Sequence, residues 1–184
     1  DLDLAATLVA KAGFGLTGQA CTATSRAIVE RSVLGPFLEK LTAKAKALKV
    51  GNGLKPGVEM GPAVNQAQLE SNLRYVEQAV KEGAQLICGG RRLIEGEWAS
   101  GFFMEPTVLA GVKPEMTIAC EEVFGPVVAV LAVENFDEAV AVANGVDVGL
   151  SASVVTRDLK KAMLYAERIE AGVVVSHDGP PEFE

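Results

Sequence analysis

PVVAVLAV, residues 126 to 133, carries no polar side chain. A run this short and this rich in valine reads as a strand covered on both faces, the form strands take inside parallel sheets. Its flanks agree. A Gly–Pro pair leads into it, and Asp137 starts a helix that runs to Asn144. Beyond that helix, SASVVT (151–156) predicts another strand, followed by a helix from Asp158 with Leu159, Ala162, Met163, Ala166 and Ile169 facing inward. GVVVS (172–176) predicts the last strand.

The same alternation extends upstream. Leu4 to Ala12 predicts a helix ending at Gly13, Gly15 and Gly18, and AIVERSV (27–33) a short strand. Pro36 opens a helix to Leu48, with Phe37, Leu41, Ala45 and Leu48 at helical spacing. After a Gly- and Pro-dense loop, Asn65 caps a helix whose Leu69, Leu73, Val76 and Val80 line one face until Gly83. Ala84 to Gly90 and Phe102 to Leu109 predict two more strands. Buried strands alternating with amphipathic helices give an α/β fold of three layers, a largely parallel sheet with helices on both faces. One domain over residues 1–175 is expected. SHDGPPEFE, which ends the chain, breaks the pattern and reads as an irregular tail over 176–184, disordered or artificial in origin. A chain opening on DLDLAAT rather than Met reads as processed or cut from something longer.

Composition narrows the function. The chain has 184 residues, enough to bury roughly 70% of the surface its unfolded form exposes. Hydrophobic residues make up 49% and aromatics only 5%, so the core must be built from Ala, Val and Leu. A formal charge of −7 without a Lys/Arg cluster argues against nucleic acid or an anionic membrane as partner. The three cysteines, Cys21, Cys88 and Cys120, follow no metal-ligand spacing and His177 is the single histidine, so no metal site is expected. A reducing, cytoplasmic setting is the default for such a chain. No apolar run approaches about 20 residues, and no signal-peptide pattern is present.

Two stretches could carry chemistry. GQACTATSR (18–26) places Cys21 in a glycine-bounded turn among Gln19, Thr22, Thr24 and Ser25. Backbone N–H groups of such a turn can stabilise an oxyanion, yet small buried cysteines are common, as Cys88 in its strand should be. EEVFGPV (121–127) sets two carboxylates before an aromatic residue and a buried strand, where Glu121 or Glu122 could reach a ligand, or could simply be solvated. The two carboxylates make the adjoining Cys120 a poor nucleophile. His177 could pair with a thiol, although its place in the tail speaks for plain solvation. Residue spacing alone leaves these alternatives open.

GQACTATSR, LKVGNGLKPGVEMGP, GFFMEPTVL, EEVFGPV and GLSASVVTRD, in this order, closely resemble the catalytic domain of the NAD(P)-dependent aldehyde dehydrogenases. DLDLAATLVAKAGFGLTGQAC resembles the approach to that family's nucleophile, and the resemblance runs over residues 1 to about 175. It implies that Cys21 attacks an aldehyde carbonyl and that its backbone N–H forms part of the oxyanion site. It further implies that Glu122 hydrogen-bonds the nicotinamide-side ribose and that Phe124 packs beside it. The family's dinucleotide-binding domain, its water-activating glutamate and its oxyanion asparagine have no counterpart in these residues.

Three functions follow as expectations. The first is a thiol esterase acting through a thioester on Cys21, with no cofactor required and with Glu122 or hydroxide as base. The second is NAD(P)-dependent aldehyde oxidation by a longer parent, or on complementation with a dinucleotide-binding domain. The third is a non-catalytic unit, a homo-oligomer held through exposed apolar surface. The partner is a small-molecule ester or aldehyde. GQACTATSR leans toward the branch acting on semialdehydes of dicarboxylic acids.

Overall fold

A computed structural model describes residues 1–177; the predicted tail from residue 178 onward lies outside the described residues. Its helices are α1 (Leu2–Phe14), α2 (Leu34–Ala47), α3 (Gln66–Lys81), α4 (Thr117–Cys120), α5 (Phe136–Asn144) and α6 (Leu159–Arg168). Its strands are β1 (Arg26–Glu30), β2 (Gln85–Cys88), β3 (Thr107–Val112), β4 (Val127–Val133), β5 (Ser151–Val154) and β6 (Val173–Ser176). The main sheet has the order β1-β4-β3-β2, parallel except for β2, which joins β3 antiparallel at one edge. β5 and β6 form a separate parallel pair.

β4 is the centre, as its sequence requires. Val128 and Val130 point to one face and join Ala27, Val29 and Val108 against Ala6, Ala10 and Phe14 of α1 and Phe37, Leu41 and Ala45 of α2. Val127, Ala129 and Leu131 point to the other face, where Leu69, Val76 and Ala79 of α3 and Ile118 of α4 cover them. Burying one such Val or Leu side chain contributes about 1.5–3 kcal/mol. Gly13 lets α1 lie close on the sheet, because a Cβ there would sit 2.5 Å from Cγ2 of Val128.

The helix starts are set by side chains. Asp1 caps α1 by accepting from the N–H groups of Asp3 and Leu4, and Asn65, Asn135 and Asp158 cap α3, α5 and α6 in the same way. Pro36 occupies the first turn of α2, where its missing N–H costs no hydrogen bond.

Several expectations need correction. The strand predicted over 27–33 stops at Glu30, and Arg31–Val33 form a 3-10 turn into α2. The strand predicted over 102–109 begins only at Thr107. The inward stripe of α6 is wrong: Leu159 and Met163 are 76% and 66% exposed, and Tyr165 is the buried residue. Helical spacing identifies a stripe without saying whether anything covers it. On α3, Val80 is exposed and Ala79 buried in its place.

Candidate active site

The chain reaches Cys21 through an uncommon turn. After α1, Leu16, Thr17 and Gly18 take φ values of 50°, 61° and 64°, three left-handed residues in succession. Such a conformation is costly for a β-branched residue. Thr17 is nevertheless held there, buried. Gln19 then fastens the loop: its side-chain amide donates to the carbonyls of Leu16 and Pro62, at 3.4 and 3.3 Å, and its Oε1 accepts from the Val64 N–H at 2.8 Å. A turn closed by Ala23 N–H on the Ala20 carbonyl, at 2.9 Å, presents Cys21 to solvent. Among the described residues no acceptor takes the Cys21 N–H. A free donor beside an exposed thiol is the arrangement that oxyanion stabilisation needs.

The second loop meets the first. A Cβ on Gly18 would lie 2.2 Å from the carbonyl oxygen of Gly125, so the two backbones touch. Gly125 in turn rests on the fully buried Asn72 of α3, where a Cβ would come within 2.3 Å of the amide. Gln68, one turn earlier, donates from Nε2 to the carbonyls of Val123 and Phe124, at 3.0 and 3.2 Å. These contacts hold Phe124 at φ 55° with its ring exposed.

The two glutamates part ways. Glu121 accepts a hydrogen bond from the Tyr75 hydroxyl at 2.7 Å, and that carboxylate pushes the Tyr75 phenol above its ordinary pKa. Glu122 is exposed and engages no partner among the described residues. Of the two, Glu121 is engaged by Tyr75 and Glu122 is the one left exposed to solvent.

Both loops precede their strands, so Cys21 and Glu122 lie at the amino ends of β1 and β4. Ligands in open α/β sheets ordinarily bind outside the carboxyl ends. The two candidate loops therefore lie at the edge opposite to the one that general rule names.

The remaining candidates fall away. His177 follows β6 at φ 58°, with Nε2 against the backbone of Thr156, at the carboxyl end of its strand pair. It does not join Cys21. Cys120 is exposed, with Sγ 3.2 Å from the Pro114 carbonyl. Cys88 is half-buried, and burial pushes its thiol pKa up. No group of three or more His, Cys, Asp or Glu side chains among the described residues could hold a metal ion. No helix among them is long and apolar enough to cross a membrane.

A free carboxylate suits a pair of ribose hydroxyls, and the exposed Phe124 ring offers a face beside it. No glycine-rich turn leads from a strand into a helix among the described residues to cradle a pyrophosphate. The Gln19, Gln68 and Asn72 contacts were not foreseen from sequence. Only Asn72 left a trace there, as a polar residue three positions after Leu69 on the inward stripe of α3.

The chain resembles known proteins over nearly all its length. It is 52% identical over 175 residues to an alpha-ketoglutarate semialdehyde dehydrogenase of Haloferax volcanii, covering 95% of this chain and 36% of that protein. An alpha-ketoglutaric semialdehyde dehydrogenase of Bacillus subtilis is 42% identical, with coverage of 95% and 36%. Among solved structures, betaine aldehyde dehydrogenase of Staphylococcus aureus in complex with NAD+ superimposes with a TM-score of 0.97 at 36% identity, over 100% of this chain and 36% of that one. The chain thus spans about a third of the length of the curated relatives it matches. The model of the aldehyde dehydrogenase family matches residues 1–182, and with Cys21 and Glu122 brought to one edge of the sheet, the chain belongs to the aldehyde dehydrogenase family.

Proposed function

We propose that residues 1–175 form the acyl-transfer unit of an NAD-dependent aldehyde oxidation carried out by a longer protein, with Cys21 as nucleophile. The observation that carries this reading is the joining of the Cys21 and Glu122 loops through Gly18 and Gly125. Cys21 Sγ bonds to the aldehyde carbonyl carbon, and its own N–H donates to the oxygen that gains charge. Bound NAD supplies the acceptor for the two electrons that leave the substrate. Cys21 then holds the acyl group as a thioester until water releases the acid. When NAD is bound, Glu122 would hold its ribose hydroxyls and Phe124 would pack against the same end.

The substrate class is a semialdehyde of a dicarboxylic acid. The two relatives named for such a substrate support this, as does the GQACTATSR motif. The test is aldehyde-dependent NADH formation by a full-length protein carrying this segment. Alpha-ketoglutarate semialdehyde should be oxidised with a higher kcat/KM than betaine aldehyde, and Cys21→Ala should lower kcat about 10³-fold or more. Equal activity in the variant would refute the assignment.

A second reading concerns the isolated chain. Cys21 is exposed with its N–H unclaimed, so an activated ester can acylate it without any electron acceptor. Slow ester hydrolysis follows, with Glu122 or hydroxide as base. That activity accompanies the proposed oxidation and does not compete with it.

A further inference from the structure

Among the described residues, Gln19 is the one position from Gly18 to Ala23 that is hydrogen-bonded to a segment distant in sequence. Both ends of its side-chain amide are engaged. Nε2 donates to the carbonyls of Leu16 and Pro62, and Oε1 accepts from the Val64 N–H at 2.8 Å, the shortest of the three bonds. The Gln19 backbone N–H also donates to the Leu16 carbonyl, at 3.1 Å. Side chain and main chain thus close on the same left-handed residue.

The segment that Gln19 grips is itself fixed. Ala63, between the two gripped residues, is 2% exposed, shares a core with Leu69 and Val127, and donates its N–H to the Phe102 carbonyl at 2.9 Å. Asn65 then caps α3, with Oδ1 2.9 Å from the Gln68 N–H. Gln68 reaches the carbonyls of Val123 and Phe124. Residues 62–68 therefore form one base for both loops, gripped by Gln19 on the Cys21 side and gripping through Gln68 on the Glu122 side. The turn from Ala20 to Ala23 has only an internal bond of its own, and beyond it the Thr24 N–H reaches back to the Ala12 carbonyl at 3.3 Å.

Donation to an oxyanion depends steeply on the direction of the N–H. The Cys21 N–H belongs to the peptide that joins Ala20 to Cys21, and the chain enters that peptide from Gln19. A hydrocarbon side chain at position 19 would release the turn from its base. We propose that Gln19 is a positioning residue: its clamp on Pro62 and Val64 aims the Cys21 N–H at the oxyanion while Sγ meets the carbonyl carbon. Gln19 acts through the backbone and not on the substrate. This role deepens the assignment of Cys21 as nucleophile and rests on it.

Two reactions of the same thiol separate aim from exposure. With p-nitrophenyl acetate, the Cys21 thiolate sulfur bonds to the acyl carbon, charge collects on the carbonyl oxygen, and p-nitrophenolate leaves with the C–O electron pair. With iodoacetamide, the thiolate displaces iodide from a saturated carbon and no oxyanion forms. Peptide mass spectrometry over time gives both rates at Cys21, and their ratio cancels exposure and thiolate fraction.

Gln19→Leu should lower the ratio of acetylation to alkylation about 10-fold or more at pH 8. Gln19→Glu should lower it at pH 8, where a carboxylate repels the Leu16 and Pro62 carbonyls. Its ratio should rise toward the parent's as pH falls toward 5 and the carboxyl regains a proton to donate. Where circular dichroism shows Gln19→Leu unfolded, the Gln19→Glu series decides alone. A parent ratio kept in Gln19→Leu would overturn the proposal and leave Cys21 as nucleophile. So would a Gln19→Glu ratio that stays constant, relative to the parent, across that pH range. A parent chain that is alkylated at Cys21 but takes no acetyl group there would overturn the Cys21 assignment and this role with it.

Discussion

Gly18 and Gly125 touch through their backbones: a Cβ on Gly18 would lie 2.2 Å from the Gly125 carbonyl oxygen. That contact joins the thiol loop to the carboxylate loop across more than a hundred residues of sequence. A backbone oxygen cannot swing aside as a flexible side chain can, so the distance between the loops depends on the absence of a side chain. Gly18→Ala is expected to cost about 2 kcal/mol or more, from left-handed strain and the clash together. Gly15→Ala, with negative φ and nothing within 4 Å, should stay within about 0.5 kcal/mol of the parent. Urea denaturation of both variants checks the difference.

Gln68 should matter to Phe124 more than to the fold. Gln68→Ala removes two donors from the carbonyls of Val123 and Phe124 and is expected to cost about 1 kcal/mol. Its sharper effect is local. Exchange of the Phe124 and Gly125 amides should rise, while that of Leu109 in β3 stays unchanged.

The alkaline limit of stability carries a signature of Tyr165. Burial pushes its phenol up to about 12, with the nearby Arg26 guanidinium opposing. An unfolded tyrosine ionises near pH 10, so the unfolded chain loses this proton first. The contribution is intact below pH 10 and is lost as pH rises from 10 toward 12. The stability difference between the parent and Tyr165→Phe, followed by urea denaturation from pH 8 to 12, should therefore be level up to pH 10 and then move in favour of the variant.

Thiol modification should sort the cysteines by surroundings. Cys21 and Cys120 are exposed, whereas Cys88 is half-buried with its thiol pKa raised by burial. Iodoacetamide at pH 8 should label Cys21 and Cys120 first, with Cys88 reacting only slowly until urea is added. Peptide mass spectrometry over time reads the order.

The layered architecture was legible because β4 has no polar residue and because the helices carry Asn65 and Asp158 at their starts. Cys21, Glu122 and Phe124 entered as candidates through the ordered motifs that carry the family resemblance. What held them was not. The left-handed turn at Leu16 and Thr17, the Gln19 clamp and the seat of Gly125 on Asn72 join residues distant in sequence, and local spacing carries no record of such contacts. The exposed face of α6 failed for a related reason: amphipathic spacing is the same whether or not a partner covers it.

The central claim is that Cys21 is the nucleophile. Brief incubation of the chain with p-nitrophenyl acetate, followed by acid quench and peptide mass spectrometry, tests it most directly. An acetyl group on Cys21, removed by hydroxylamine and missing from Cys21→Ala, is the predicted result. Acetylation of Cys120 with Cys21 left free would contradict the account.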